Sequence, residues 1–233
     1  MITAMNKLSI LLCICVVLPL FVSCGKDNAG ADFSVVESKD ATVQSVPTIP
    51  DSAKKRLQSV LDMECISIPA EEWNDETLYK AVCINGAPIS MPFTLHDLGA
   101  EFDVIENGEY PMAINESNHR ATATITYCGI EIGSVVVSDC LSKESFSDSP
   151  ISCMFLSFEN FYDLDISPVA INGLGINGDY GAQMEHLYFM NLQDEDAENN
   201  YYDYKFETEN TVLMCLYTDD KLNSLTLKTQ YSK

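Results

Sequence analysis

The order of hydrophobic and polar positions changes twice along the chain. Leu8 to Val22 is an apolar run of fifteen residues, LSILLCICVVLPLFV, broken once by Pro19. Residues 25–50 are polar and small, with Phe33, Val35 and Val36 as interruptions and no period of either kind. From Asp51 onward the pattern becomes periodic. Ala53, Leu57, Val60 and Leu61 fall at i, i+4, i+7 and i+8, which predicts a helix over 51–63 with Asp51 as its N-cap. Beyond Glu76 strand patterns dominate. TLYKAVCI (77–84) is β-rich and ends at the turn pair Asn85-Gly86. ATATITY (121–127) alternates, placing Ala121, Ala123, Ile125 and Tyr127 on one face, and Cys128-Gly129 turns it into Ile130–Ile132 and Val135–Val137. A further strand is expected over 151–158, and three over 201–208, 211–218 and 222–228. The last three are joined by Glu209-Asn210 and Asp219-Asp220-Lys221, connections short enough for an antiparallel meander. Short helices fit near 94–101 and 179–189. Runs of strands with segregated helices predict an α+β fold, antiparallel sheets with short helices packed on one face.

The apolar run is short for a spanning helix, which needs roughly 20 residues, and fits the core of a signal peptide. It ends in Phe21-Val22-Ser23-Cys24-Gly25. A small residue just before a cysteine at this place resembles the lipobox of bacterial lipoproteins, although Phe21 stands where that family usually has Leu. The resemblance implies that the Cys24 thiol carries a diacylglycerol and that cleavage makes Cys24 the first residue. It implies a lipid-anchored protein on the cell membrane, facing outside the cytoplasm on the extracellular or periplasmic side. An ordinary secretory signal and a short N-terminal anchor are the alternatives. Two acyl chains at ~0.8 kcal/mol per buried CH₂ anchor stably where one does not. Residues 24–50 then read as a flexible tether, of ~28 Å root-mean-square reach.

A weak internal repeat appears when 84–98 is laid on 171–185. Ile84-Asn85-Gly86 meets Ile171-Asn172-Gly173, Ile89 meets Ile176, and Phe93 meets Tyr180. The second copy continues Leu174-Gly175-Ile176-Asn177-Gly178-Asp179, then a short helix and the final meander. Here the body resembles small secreted α+β modules, among them the tandem beta-lactamase-inhibitor-protein-like domains and lipoproteins of the Firmicutes. That resemblance implies protein binding or envelope assembly and carries over no catalytic residue. The domain reading is a signal peptide over 1–23, a lipid-anchored linker over 24–50, a first module with its N-terminal helix over 51–145, and a second over 146–233.

Charge narrows the partners. The chain of 233 residues has 13 Lys+Arg against 35 Asp+Glu, a formal net charge of −22. Without residues 1–23, which hold Lys7 and no acid, 12 bases face 35 acids and the charge is −23. Nucleic acid, whose binding rests on Lys and Arg against phosphate, is disfavoured; basic partners or divalent cations are favoured. Lys54, Lys55 and Arg56 form the one basic cluster of the body. They read as a solvated helix face with an Asp51–Lys55 pair, the alternative being contact with anionic headgroups.

Candidate chemistry is sparse. Beyond Cys13, Cys15 and Cys24 lie Cys65, Cys83, Cys128, Cys140, Cys153 and Cys215. Six cysteines in an exported chain permit disulfides, Cys140 with Cys153 first among them, at ~3 kcal/mol for the closed loop. Their apolar strand settings favour free, buried thiols instead. There is no G-x-S-x-G, no H-E-x-x-H, no phosphate-binding loop, and His96, His119 and His186 lie far apart. Asp194, Asp196 and Glu198 begin an EF-hand-like spacing, but Asn199 and Lys205 replace its Gly and Glu, which leaves a solvated loop. Asp163 and Asp165 read as surface. Tyr201, Tyr202, Tyr204 and Phe206 are a candidate contact group, yet alternation puts the last three on one face, as in a core. No cofactor and no metal site is indicated. The expected function is a non-enzymatic protein- or envelope-binding module; the alternative is an envelope hydrolase using carboxylate or cysteine chemistry.

Overall fold

The structure, a computed structural model, describes residues 48–61, 63–164, 166–178 and 185–229. Cys24, the expected signal peptide, most of the expected linker and residues 179–184 lie outside them; of the helix expected near 179–189, the described residues 185–189 form turns instead. Ser45–Lys233 form one compact unit. No helix among the described residues is long and apolar enough to cross a membrane.

The described chain is α+β and its sheets are antiparallel. Helix α1 is Asp51–Leu61 and helix α2 is Asp75–Ala81. The strands are β1 Val82–Ile84, β2 Ala87–Pro88, β3 Phe102–Ile105, β4 Ala113–Asn115, β5 Arg120–Tyr127, β6 Ile130–Val137, β7 Ile151–Ser157, β8 Val169–Ile171, β9 Asn191–Asp196, β10 Tyr201–Glu207, β11 Thr211–Thr218 and β12 Lys221–Thr229. A three-stranded sheet runs β2-β1-β8, and a nine-stranded sheet runs β3-β5-β6-β7-β12-β11-β10-β9, with β4 also on β5. The large sheet is thus one meander ending at β7 and a second ending at β12, joined where these two strands pair. The expected module boundary at 145/146 falls between β6 and β7, which are hydrogen-bonded neighbours.

Alternation in β5 holds: Ala121, Ala123, Ile125 and Tyr127 are all buried. They join Val135, Met154, Leu156, Leu225, Leu227 and Leu213 on the inner face of the sheet. Leu57 and Ala53 of α1, Leu78 of α2, and Trp73 belong to the same core. Trp73 stacks on Phe189 with ring centroids 3.6 Å apart, and Phe206 of β10 meets both edge-on. Gly133 permits the central strands to approach. A Cβ there would lie 2.0 Å from the Phe155 carbonyl oxygen, and its φ of 149° suits glycine alone.

The expected strand over 77–84 is corrected: most of it is α2, and only 82–84 pairs. Asn74 caps the helix by accepting from the Thr77 N–H. Asp75 and Glu76 fill the first turn, and Lys80 closes an i,i+4 pair on Glu76 at 2.7 Å. Capping outweighs the β-rich composition. Near 94–101 only a 3₁₀ turn forms, His96–Leu98. The acidic stretch expected as a loop is instead edge strand β9.

Both Asn-Gly pairs are left-handed turns, with φ 52° and 82° at Asn85-Gly86 and 51° and 84° at Asn172-Gly173. They flank the β1·β8 pair symmetrically, since the Asn85 N–H donates to Pro168 O and the Asn172 N–H to Ala81 O. Each Asn side chain is buried and fully used. Asn172 accepts from the Ile66 N–H and donates to Ile66 O and His186 O. Asn85 accepts from the Tyr127 hydroxyl and Arg56 Nη2, and donates to Leu98 O and Glu101 Oε2. Arg56 also bonds Asn85 O at 2.9 Å and Glu101 Oε1 at 2.6 Å. The solvated reading therefore fails for Arg56. It ties α1 to the sheet, and a side chain on Gly86 would collide with it.

Partial burial opposes the Glu101 charge, but hydrogen bonds from Arg56 and Asn85 hold its carboxyl below the ordinary range. Such a group supports the fold above its unfolded pKa and withdraws that support as pH falls through its folded value. Stability of the native chain should therefore hold from neutrality to about pH 5 and fall below it, less steeply in Glu101→Gln, as urea unfolding at several pH values would read. Asn85→Ala at neutral pH is expected to cost about 2–4 kcal/mol, by leaving Tyr127 and Leu98 O unpaired. A change within about 0.5 kcal/mol, the range of an ordinary surface substitution, would remove Asn85 from its place in the fold.

Candidate functional site

Strand register decides which residues face away from the core. Side chains directly opposite one another share a face, so the pairings define rows across the sheet. One row reads Ser134, Phe155, Thr226, Met214, Lys205. The next reads Val136, Cys153, Lys228, Val212. On the other side lies Ser157, Ser224, Leu216, Asp203, Asp194. Phe155 stands 36% exposed near the middle, and Met214, Leu216, Val136 and Cys153 are half-buried around it. Toward β5 the face closes: Tyr110 bonds Thr124 through N–H and carbonyl, and Gly108 sits against the Thr124 side chain.

Acids rim this surface. Asp203 and Asp194 stand directly opposite each other, Asp196 faces Tyr201, and Asp103 and Glu131 flank Thr126. Burial first, and then the Asp194 charge, raise Asp203 above its ordinary range. An apolar middle with a carboxylate rim presents hydrophobic area and an attraction for cations.

The residues singled out from the sequence fall into place around this face. Tyr204 and Phe206 are buried on the inner side and Tyr202 packs against the same core, so the contact-group reading gives way to core packing. Tyr201 alone of the four lies on the open side, opposite Thr218. Asp194 and Asp196 sit in the extended β9, where the EF-hand-like spacing cannot wrap an ion, and Glu198 follows in the turn. Among the described residues no group of three or more His, Cys, Asp and Glu is placed to hold a metal. Asp163 is exposed in a 3₁₀ turn, Glu159–Leu164, and Asp165 lies outside the described residues. His96 Nδ1 meets Asp148 at the surface at 2.9 Å, and His186 Nδ1 lies 3.1 Å from Asn172 O. His119 belongs to an exposed turn.

All six described cysteines are free. The Cys140–Cys153 bridge does not form, because the two thiols belong to opposite sides of the sheet. Cys140 is buried in the core beside Ser142 O, and Cys153 shares the open face with Phe155. Burial pushes Cys83 up to about 11 and raises Cys215 strongly; it raises Cys153 too, against the pull of Lys228 and Arg120. Labelling of the native chain by a thiol reagent at pH 8 should reach Cys65, Cys128 and Cys153, while Cys83, Cys140 and Cys215 wait for unfolding. Early modification of Cys140 or loss of titratable Cys153 would contradict this arrangement. Comparison with known protein families, curated proteins and solved structures finds no match for this chain.

Proposed function

We propose that this chain is a cell-envelope lipoprotein, anchored outside the cytoplasm by lipid on Cys24, whose folded body binds a cationic protein or envelope component without chemistry of its own. The observation that carries the binding reading is the open face of the large sheet, with Phe155, Met214, Leu216 and Val136 inside an acidic rim. Aromatic and Met side chains are favoured at the centres of interfaces, and charges at their rims steer encounter. The anchor reading rests on the leader, Leu8 to Val22 followed by Ser23-Cys24. A body of charge −23 is repelled by an anionic membrane within a Debye length of ~8 Å, so lipid and tether, not surface attraction, would hold it near. We also read 82–157 and 169–229 as two copies of one unit. The matched Asn-Gly turns and the two meanders meeting at β7 and β12 support that.

The test uses the full chain and its Phe155→Asp/Met214→Asp variant, both on solvent-facing positions that leave the core intact. A partner retained from the producing cell's envelope extract should bind the variant at least about tenfold more weakly and release at high salt. Equal retention by the variant would overturn the face assignment. Turnover of glycans, peptides or esters by the native chain would overturn the non-enzymatic reading. A mature chain whose mass shows Cys24 without lipid would overturn the anchor.

A further inference from the structure

The chain has 35 acids against 13 bases. Arg56, Lys80, Lys143 and Lys205 each pair with a carboxylate, and Lys221 sits 4.7 Å above the Tyr162 ring. Lys54 and Lys55 are exposed on α1. The exceptions in the sheet are Arg120 and Lys228, which form no ion pair among the described residues. They share one region of the open face. Lys228 stands opposite Cys153, Cys153 opposite Val136, and Val136 opposite Thr122, two residues along β5 from Arg120. Both cations act electrostatically on the same thiol, Cys153.

A cavity of about 550 Å³ opens beside them, at the ends of β5, β6, β7 and β12. Arg120, Asn118 and Ser138 supply its polar wall, and Pro92, Pro150 and Ile151 its apolar one. The other hydroxyls there are spent inward: Ser152 donates to Val136 O and Thr229 to Ile151 O. Asn118 Oδ1 accepts from the Arg120 N–H. Asp139 also lines the cavity and is engaged in a contact of its own. The volume is in the range of small-molecule sites, and the lining sets the apolar Pro92, Pro150 and Ile151 among polar side chains.

We propose that this cavity binds a small organic anion, its carboxylate or phosphate on Arg120 and Asn118 and its apolar body against Pro92, Pro150 and Ile151. Lys228 adds attraction without direct contact. A guanidinium pairs either oxyanion through two parallel N–H groups, which an amine or alcohol cannot use. The site lies at the strand ends of the same open face, is lined by none of Phe155, Met214, Leu216 and Val136, and does not depend on the partner reading above.

Calorimetric titration of the full chain with 4-phenylbutyrate, phenyl phosphate and 4-phenylbutylamine tests it. Saturable binding of one anion or both is expected, and the tighter one identifies the head group. The amine should not bind. Arg120→Gln should weaken binding at least about tenfold, Lys228→Gln about two- to threefold, and Lys55→Gln not at all. Ser138→Trp, which fills the cavity and keeps both charges, should also abolish binding, and it covers the case in which Arg120→Gln fails to fold. Absence of saturable binding of either anion up to about 10 mM, equal binding of the amine, or full binding by Arg120→Gln or Ser138→Trp would each overturn the proposal.

Discussion

The buried side chain of Asn85 is the point through which the separate elements of this fold are held together. Its backbone sits in the left-handed region, which Asn tolerates and β-branched residues do not. Its side chain touches α1 through Arg56, the loop before β3 through Leu98 and Glu101, and β5 through Tyr127. A buried amide with all its donors and acceptors matched specifies one arrangement, because each alternative would strand a polar group at about 1–3 kcal/mol. Asn172 does the same on the other side of the β1·β8 pair, gathering Cys65, Ile66 and His186. With these two hubs in place the small sheet fixes α1 and α2 against the inner face, and the outer face is left to solvent.

That division gives the large sheet two unlike faces. One side of the large sheet carries the aliphatic and aromatic core; the other carries a sparse apolar row inside a carboxylate rim. Four register shifts, at Ile125/Thr126, Val136/Val137, Asp203/Tyr204 and Leu216/Tyr217, adjust where this face begins and ends. Edge strand β9 ends in three consecutive acids, Asp194, Glu195 and Asp196, which discourages pairing with another copy of so acidic a chain. The acid excess thus has two structural consequences. It guards an edge, and it sets off Arg120 on the lining of the cavity at the strand ends.

Much of this was legible from residue order. Strict alternation located β5 and its buried face, two-residue turns located the hairpins at Asn85-Gly86 and Cys128-Gly129, and short connections located the final meander. The repeat of Ile-Asn-Gly was visible as a motif, but its symmetric place around β1·β8 depends on pairing across 87 residues, which periodicity cannot express. Helix α2 was misread because Leu, Tyr and Val weigh toward strand while the decisive signal, Asn74 with Asp75 and Glu76, sits just ahead of them. Arg56 was misread because a base between Lys55 and Leu57 looks solvated until Asn85 and Glu101 are brought to it. The open face was invisible for a related reason: Phe155 and Met214 lie 59 positions apart and meet only through Thr226.

The measurement that bears most directly on the account is site-specific photo-crosslinking in the producing cell. A photoreactive residue at Phe155 should yield a discrete crosslinked envelope species, and the same residue at Gln58, on the exposed side of α1, should yield none. A crosslink at Gln58 with silence at Phe155 would contradict the claim that the open face of the sheet is the working surface.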